Sequence, residues 1–414
     1  MDARPIFPYN WLEPPYLEEP YPLYARARRE APVFYSPLFD IWAITRYHDV
    51  RAAVMDPQRF SAAYLIRTPL NPSAEVQAVL NAGYPEIHML VNQDPPGHTR
   101  TRSLVNKAFT PQRVQLLKPR IQALTEHLID RFVDDGSVDI IAHLAYPLPM
   151  AVIADLIGLP TEDLDHIKHW TEDVLLLNSP EITRERQLEA AHGTVAFQRY
   201  LEMQIKERQR VPRDDLLTSL LHAHLEGEHP LSIHELINLL MVLIFAGHET
   251  TTNLIGNMLL LVLNQPAVWQ AIHADARLAA EAVEESLRMD APVQAMFRTT
   301  TAPVELSGVQ LPVGARTLLL FASANRDEAV FPDPDRFDLH RPNKDQHLSF
   351  GRGIHFCLGA MLARLEAQTV LTTLAQRLPN LRMDPDHSRT YLPNFIHRGP
   401  RQLHVIWEPG QNHA

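Results

Sequence analysis

The sequence has a single cysteine, Cys357, among its 414 residues. One thiol cannot close an internal disulfide, so no framework of bridges holds the fold. Positive charge is not in excess either: 38 Lys and Arg stand against 49 Asp and Glu, a formal net charge of −11. That balance argues against non-specific binding to nucleic acid or to an anionic membrane. The most apolar stretch, Leu236–Gly247, is too short to span a bilayer and suits a buried core helix. The first residues, Met1 to Pro8, are proline-rich and hold no apolar h-region, which predicts no secretory leader. There is no internal repeat, no low-complexity block and no proline- or glycine-rich linker long enough to divide the chain. These absences predict a soluble, cytoplasmic protein folded as one domain over residues 1–414, and 45% hydrophobic residues suffice for a sizeable core.

What is present has mostly helical spacing. Pro111–Phe132 is amphipathic and opens after Thr110, an N-cap residue followed by proline at the first helical position, so a helix is predicted there. Leu231–Leu263 reads as one long apolar helix, opened by Ser232 with Glu235 three residues on, a capping box. Apolar on most faces, it belongs in the middle of the molecule. Leu358–Leu378 is a further helix, starting just after Cys357. Strand-like segments are few and short. They are Val33–Tyr35 and Trp42–Thr45, then Val304–Leu306 and Thr317–Phe321 around Gly308, Pro312 and Gly314, and last Leu403–Trp407. The predicted class is mainly α with a minor antiparallel β component.

The chemistry gathers around the cysteine, in Phe350-Gly351-Arg352-Gly353-Ile354-His355-Phe356-Cys357-Leu358-Gly359-Ala360. A thiolate needs nearby positive potential. A helix starting at Leu358 would aim unpartnered N–H groups at Cys357 and lower its pKa. Gly351, Gly353 and Gly359 allow sharp turns and close approach to a flat ligand. Phe350 can lie against the sulfur and exclude water. On residue types alone, the segment is either a thiolate site or a glycine-rich turn with a buried structural cysteine. The complete pattern resembles the haem-binding loop of the cytochrome P450 family, Phe-Gly-x-Gly-x-His-x-Cys-x-Gly, at each fixed position. The resemblance implies the cytochrome P450 fold, haem b (iron protoporphyrin IX) as cofactor, and Cys357 as the thiolate ligand of its iron.

Three further segments extend the resemblance. Ala246-Gly247-His248-Glu249-Thr250-Thr251 places an acid and an alcohol inside an apolar helix. An unpaired buried carboxylate costs several kcal/mol, and Gly247 costs about 1 kcal/mol relative to alanine. Both penalties point to function. The segment resembles the oxygen-activating stretch of P450s, where the helix is locally widened. That implies Thr250 as the hydroxyl that bonds the oxygen under activation and Glu249 as a proton relay, with His248 turned away. Glu285 and Arg288 are by spacing an ordinary helix-face pair. They resemble the family's Glu-x-x-Arg, which implies a structural, haem-retaining lock onto a meander arginine, Arg336 or else Arg341. Asp94–Arg102, Arg298 and His355 resemble the family's propionate-binding positions. Two buried carboxylates need charge and donors, which His98, Arg102, Arg298 and His355 would supply.

The same resemblance places substrate contacts at Met89 and Leu90, at Val242, Phe245 and Ala246, at Gln294 and Met296, and at Phe395 and Ile396. The lining is apolar except for the Gln294 amide, which implies a lipophilic small molecule. No flavin or nicotinamide segment accompanies the loop, so electrons are expected from a ferredoxin with its reductase. Arg100, Lys107, Arg113, Arg352 and Arg364 would form the basic docking patch. The implied activity is that of a monomeric monooxygenase, with one oxygen atom of O2 entering a C–H or C=C bond. A peroxide-driven peroxygenase and a non-catalytic gas-sensing haem protein are the competing readings. The Glu249–Thr250 pair weighs against both.

Overall fold

A computed structural model describes residues 5–7, 10–63, 72–177 and 182–409. Residues 1–4 and 8, on which the leader reading partly rests, lie outside the described residues. The fold is mainly helical with small sheets. The chain divides into two compact units, the first of residues 1–65, 118–148 and 249–414, the second of residues 66–117 and 149–248.

The first unit carries the sheets. The strands of its five-stranded sheet run in the order Val33–Ser36, Ile41–Ile44, Arg316–Leu319, Met296–Thr300 and Phe60–Ser61. All four residues of Ile41–Ile44 are buried, as expected for an inner strand covered on both faces. It pairs parallel with Arg316–Leu319 through Trp42 and Thr317, while Thr317 faces Arg298 across the antiparallel neighbour. Met296–Thr300 is absent from the sequence reading. Its burial does not alternate, so it carries no period-two signal. Around the sheet, helix Ala360–Arg377 packs against Lys118–Asp130, Pro266–Ala274 and Leu278–Met289.

In the second unit, helix Arg184–Arg210 packs along Leu164–Leu176, with Trp170 stacked on Phe197 at 5.6 Å between ring centres. Thr183 caps the longer helix by accepting the Arg186 N–H at 3.3 Å. The helix expected over Pro111–Phe132 is in fact two, Pro111–Leu116 and Lys118–Asp130. Pro119 has no N–H to donate and is tolerated only in a first turn, so the chain restarts there.

Ile233–Leu263 forms one continuous helix of 31 residues. Its capping box closes as expected: Ser232 N–H donates to Glu235 at 2.8 Å, and Glu235 N–H donates to Ser232 Oγ at 3.2 Å. This helix is by length and composition able to cross a membrane, with 56% of its most apolar window buried inside the protein. It exceeds the run Leu236–Gly247 because Leu254–Leu263 prolongs the apolar pattern. Close packing explains one of its glycines. A Cβ on Gly247 would meet two side-chain carbons of Ile153 at 3.1 Å, so part of the glycine penalty is a packing requirement.

Candidate active site

Backbone turns, rather than a helix end alone, set the position of Cys357. Gly351 and Gly353 both have positive φ, +65° and +69°, in the left-handed region that favours glycine. A Cβ on Gly353 would also sit 3.0 Å from the Val54 carbonyl oxygen. These turns bring the Cys357 N–H to the Phe350 carbonyl at 2.9 Å, closing the loop on itself. The following helix starts at Ala360 with Gly359 at its N-cap, two residues later than expected. Cys357 is in no disulfide and is partly accessible.

A charged brace stands behind Phe350, and the sequence reading missed it. The Arg364 guanidinium lies 4.5 Å from the centre of the Phe350 ring. Arg364 is itself gripped by Glu284 at 2.5 and 3.0 Å. Buried His347 approaches the same carboxylate at 3.2 Å. Its Nδ1 accepts the Ser349 N–H at 3.2 Å, so the proton of the neutral ring sits on Nε2 and points at Glu284. Burial alone would raise the Glu284 pKa, but the donors from His347 and Arg364 outweigh it and bring it down to about 2. Burial lowers the pKa of His347. No local spacing links residues 284, 347 and 364; only tertiary folding brings them together.

The Glu-x-x-Arg lock forms, with a corrected partner. Arg288 holds Glu285 through Nε at 2.8 Å and Nη2 at 2.7 Å, both side chains being fully buried. Arg341, not Arg336, completes it, with Nε 2.9 Å from Glu285 Oε1. Arg336 lends only its backbone carbonyl, to Arg288 at 3.3 Å and to Arg341 at 2.8 Å. Its side chain reaches out to Asp338 and is 68% exposed. A turn folds the residue 336 carbonyl inward and leaves the guanidinium outside, which residue type cannot reveal.

The four expected propionate partners divide between the units. Arg298 is buried and lies on a strand of the first unit, where it donates to the Phe297 carbonyl at 2.7 Å. His355 sits in the same unit, two residues before the thiol. His98 and Arg102 belong to the second unit. His98 is buried, and its pKa is lowered by burial and further by the charge of Arg102, one helical turn away.

Along the long helix, Val242, Ala246 and Thr250 recur every four residues and share a face. Ala246 is exposed and the other two half-buried, while Leu243, Ile244, His248 and Thr251 are buried. Phe245 and Glu249 flank this accessible line and are also half-buried. The local widening implied by the resemblance is not seen: residues 246–251 run as uninterrupted α-helix.

The remaining expected contacts are mixed. Met89 and Leu90 are buried. Met296 is half-buried on its strand, and Ile396 is half-buried with its carbonyl accepting the Gln294 N–H at 2.7 Å. Phe395 packs with Trp11, Phe39 and Phe297 at 4.8–6.0 Å between ring centres. Gln294 is buried, and its amide N–H group donates to the Ala291 carbonyl at 2.7 Å and to Asp290 at 3.3 Å, while its Oε1 has no partner among the described residues. The basic residues expected to dock a donor are braced internally. Arg100 pairs with Glu235 at 2.7 Å, Arg113 bonds Ser219 at 2.9 Å, Lys107 donates to the His224 carbonyl at 2.5 Å, and Arg352 donates to the Asp345 carbonyl at 3.0 Å.

The family model for cytochrome P450 matches residues 30–393. The chain is 37% identical over 416 residues to the cytochrome P450 monooxygenase PikC of Streptomyces venezuelae, covering 99% of this chain and 96% of that one. It is 40% identical over 367 residues to the vitamin D(3) 25-hydroxylase of Pseudonocardia autotrophica, covering 88% of this chain and 87% of that one. The structure of CYP109E1 from Bacillus megaterium in complex with corticosterone matches with a TM-score of 0.83 at 32% identity, over 94% of this chain and 98% of that one. Fold and thiol loop together define a haem-thiolate protein. The chain belongs to the cytochrome P450 family and is a haem-dependent monooxygenase. Its residues fit the cofactor: a lone, partly accessible thiol stands in a glycine-turned loop, and a buried guanidinium at Arg298 suits a group bearing carboxylates.

Proposed function

We propose that this P450 hydroxylates or epoxidises a lipophilic small molecule as a cytoplasmic monomer, with electrons from a ferredoxin and its reductase. The observation that carries the reading is the accessible line of the long helix. Apolar Val242, Phe245 and Ala246 pass within one turn into Glu249 and Thr250. One face thus offers an apolar surface for a substrate and, beside it, groups that hold and move protons. The relatives support the substrate class: one is named for hydroxylating vitamin D(3), and another was solved with corticosterone bound.

In this reading Cys357 ligates the iron, and His98, Arg102, Arg298 and His355 hold the propionates. The haem supplies the oxygen-activating redox chemistry when bound. Phe350, backed by Arg364, shields the thiolate from water. Glu249 passes a proton toward the Thr250 hydroxyl, which positions it for the reaction. Met89, Leu90, Met296, Phe395 and Ile396 complete the apolar surroundings. Lipophilic compounds, steroids first, are screened against the holoprotein for a low-to-high-spin shift, and shifting compounds are incubated with NADPH, a ferredoxin and its reductase. A product heavier by one oxygen, labelled from 18O2, is expected. Small polar molecules as the only shifting compounds would overturn the substrate class.

A further inference from the structure

A histidine outside the expected site holds the proposed proton relay. His397 Nδ1 lies 3.4 Å from Glu249 Oε1, with the two side chains 15% and 31% exposed. The surroundings fix this pair in place. Glu249, Asn253 and Asn257 recur every four residues and so share one face of the long helix. The segment of residues 397–400 runs against that face. Buried Asn257 donates to the Arg398 carbonyl at 3.0 Å and to the Asp290 carbonyl at 3.1 Å. A Cβ on Gly399 would lie 2.1 Å from Asn253 Oδ1, and one on Gly256 would lie 3.1 Å from Pro400. On its other side the segment is stitched to residues 292–294. Arg398 N–H donates to the Pro292 carbonyl at 2.9 Å, Gln294 N–H donates to the Ile396 carbonyl at 2.7 Å, and His397 bridges Val293. His397 also donates its own N–H to Asn394 Oδ1 at 3.0 Å. Its backbone is therefore held from both sides while its ring meets the acid.

We propose that His397 is a positioning residue for proton delivery, holding the Glu249 carboxylate at the place from which it serves Thr250. A carboxylate on a helix face has several rotamers, and only some of them face the neighbouring hydroxyl. A donor anchored on a separate, rigid segment selects among them. This inference rests on the reading of Glu249 as the proton relay.

The test uses the holoenzyme and four variants, Glu249→Gln, His397→Phe, His397→Gln and the double change of Glu249→Gln with His397→Phe. NADPH oxidation is followed in H2O and D2O, supported by a plant ferredoxin and its reductase under conditions in which the wild type consumes NADPH. Glu249→Gln and His397→Phe are each expected to slow it roughly tenfold and to enlarge the solvent isotope effect, whereas His397→Gln, which keeps a donor, stays within about threefold of wild type. Melting temperatures of the same set form a double-mutant cycle that needs no turnover, and non-additive shifts are expected. A slowed Glu249→Gln beside an unaffected His397→Phe would overturn the role of His397 and leave that of Glu249 standing. An unaffected Glu249→Gln would remove the relay and this inference together. His397→Gln as slow as His397→Phe, or additive melting shifts, would also overturn it.

Discussion

Arg341 Nε stands 2.9 Å from Glu285 Oε1, and the two side chains are 5% and 0% exposed. With Arg288 on the same carboxylate, Glu285 bridges two buried cations. The guanidinium hydrogens of these cations run to the carbonyls of Asn325, Pro332, Asp333, Pro334 and Arg336. Desolvation makes such a cluster costly to assemble and more costly to break.

Arg341→Ala is therefore expected to destabilise the protein by about 3–5 kcal/mol, the range for removing one partner of a buried pair. Haem content per chain should fall with it. Arg336→Ala keeps the useful carbonyl and loses only an exposed side chain, so its cost should stay within about 0.5 kcal/mol. Denaturant titration and haem content measure both. Equal damage from the two changes would contradict the assignment.

Cys357→Ala removes the proposed iron ligand. Its reduced CO adduct is expected to lack the red-shifted Soret band of a thiolate-ligated haem, whereas wild type shows it. A retained red shift would place the ligand elsewhere.

Thr250→Ala should leave haem binding intact and separate electron use from product. NADPH consumption is expected to continue while peroxide per NADPH rises several-fold, the effect of losing one positioned proton-handling group. Peroxide yield and product are measured together with any compound that produces the spin shift. Unchanged coupling would remove Thr250 from the reaction.

Glu284 predicts an acid limit to stability. Its folded pKa, about 2, lies below its ordinary value of 4.5. A depressed carboxylate contributes stability that is present above 4.5 and lost as pH falls toward about 2. A shift of this size corresponds to about 3 kcal/mol. His347 acts in the same sense, because burial holds it neutral while the unfolded chain gains a proton as pH falls. Glu284→Gln should lower stability at neutral pH and flatten its decline between about pH 4.5 and 3, read from denaturant midpoints across that window.

Glu366 predicts the opposite slope. It is 1% exposed, its Oε2 has no hydrogen-bond partner among the described residues, and burial raises its pKa well above 4.5. A raised carboxyl favours the folded state below 4.5, and that advantage is lost as pH rises toward the folded pKa. Glu366→Gln is expected to raise the melting temperature at neutral pH and to change it little near pH 4, measured by thermal scans at both. A lower melting temperature at neutral pH would show that Glu366 has a partner worth more than its burial costs.

The contiguous features of this protein were legible in its sequence. The thiol loop, the capping box at Ser232 and Glu235, the long apolar helix and the Glu285–Arg288 spacing are local, and each side chain's partner lies a few residues away. Local pattern also decided the mainly helical class and the family. Tertiary structure alone decided which distant groups meet. It chose Arg341 over Arg336, turned the Gln294 amide onto its own backbone, built the Glu284–His347–Arg364 brace and set His397 against Glu249. The physical reason is common to all four. Burial makes an unpaired charge or amide expensive, so each finds a partner wherever the packed chain supplies one, at a separation that no sequence period encodes.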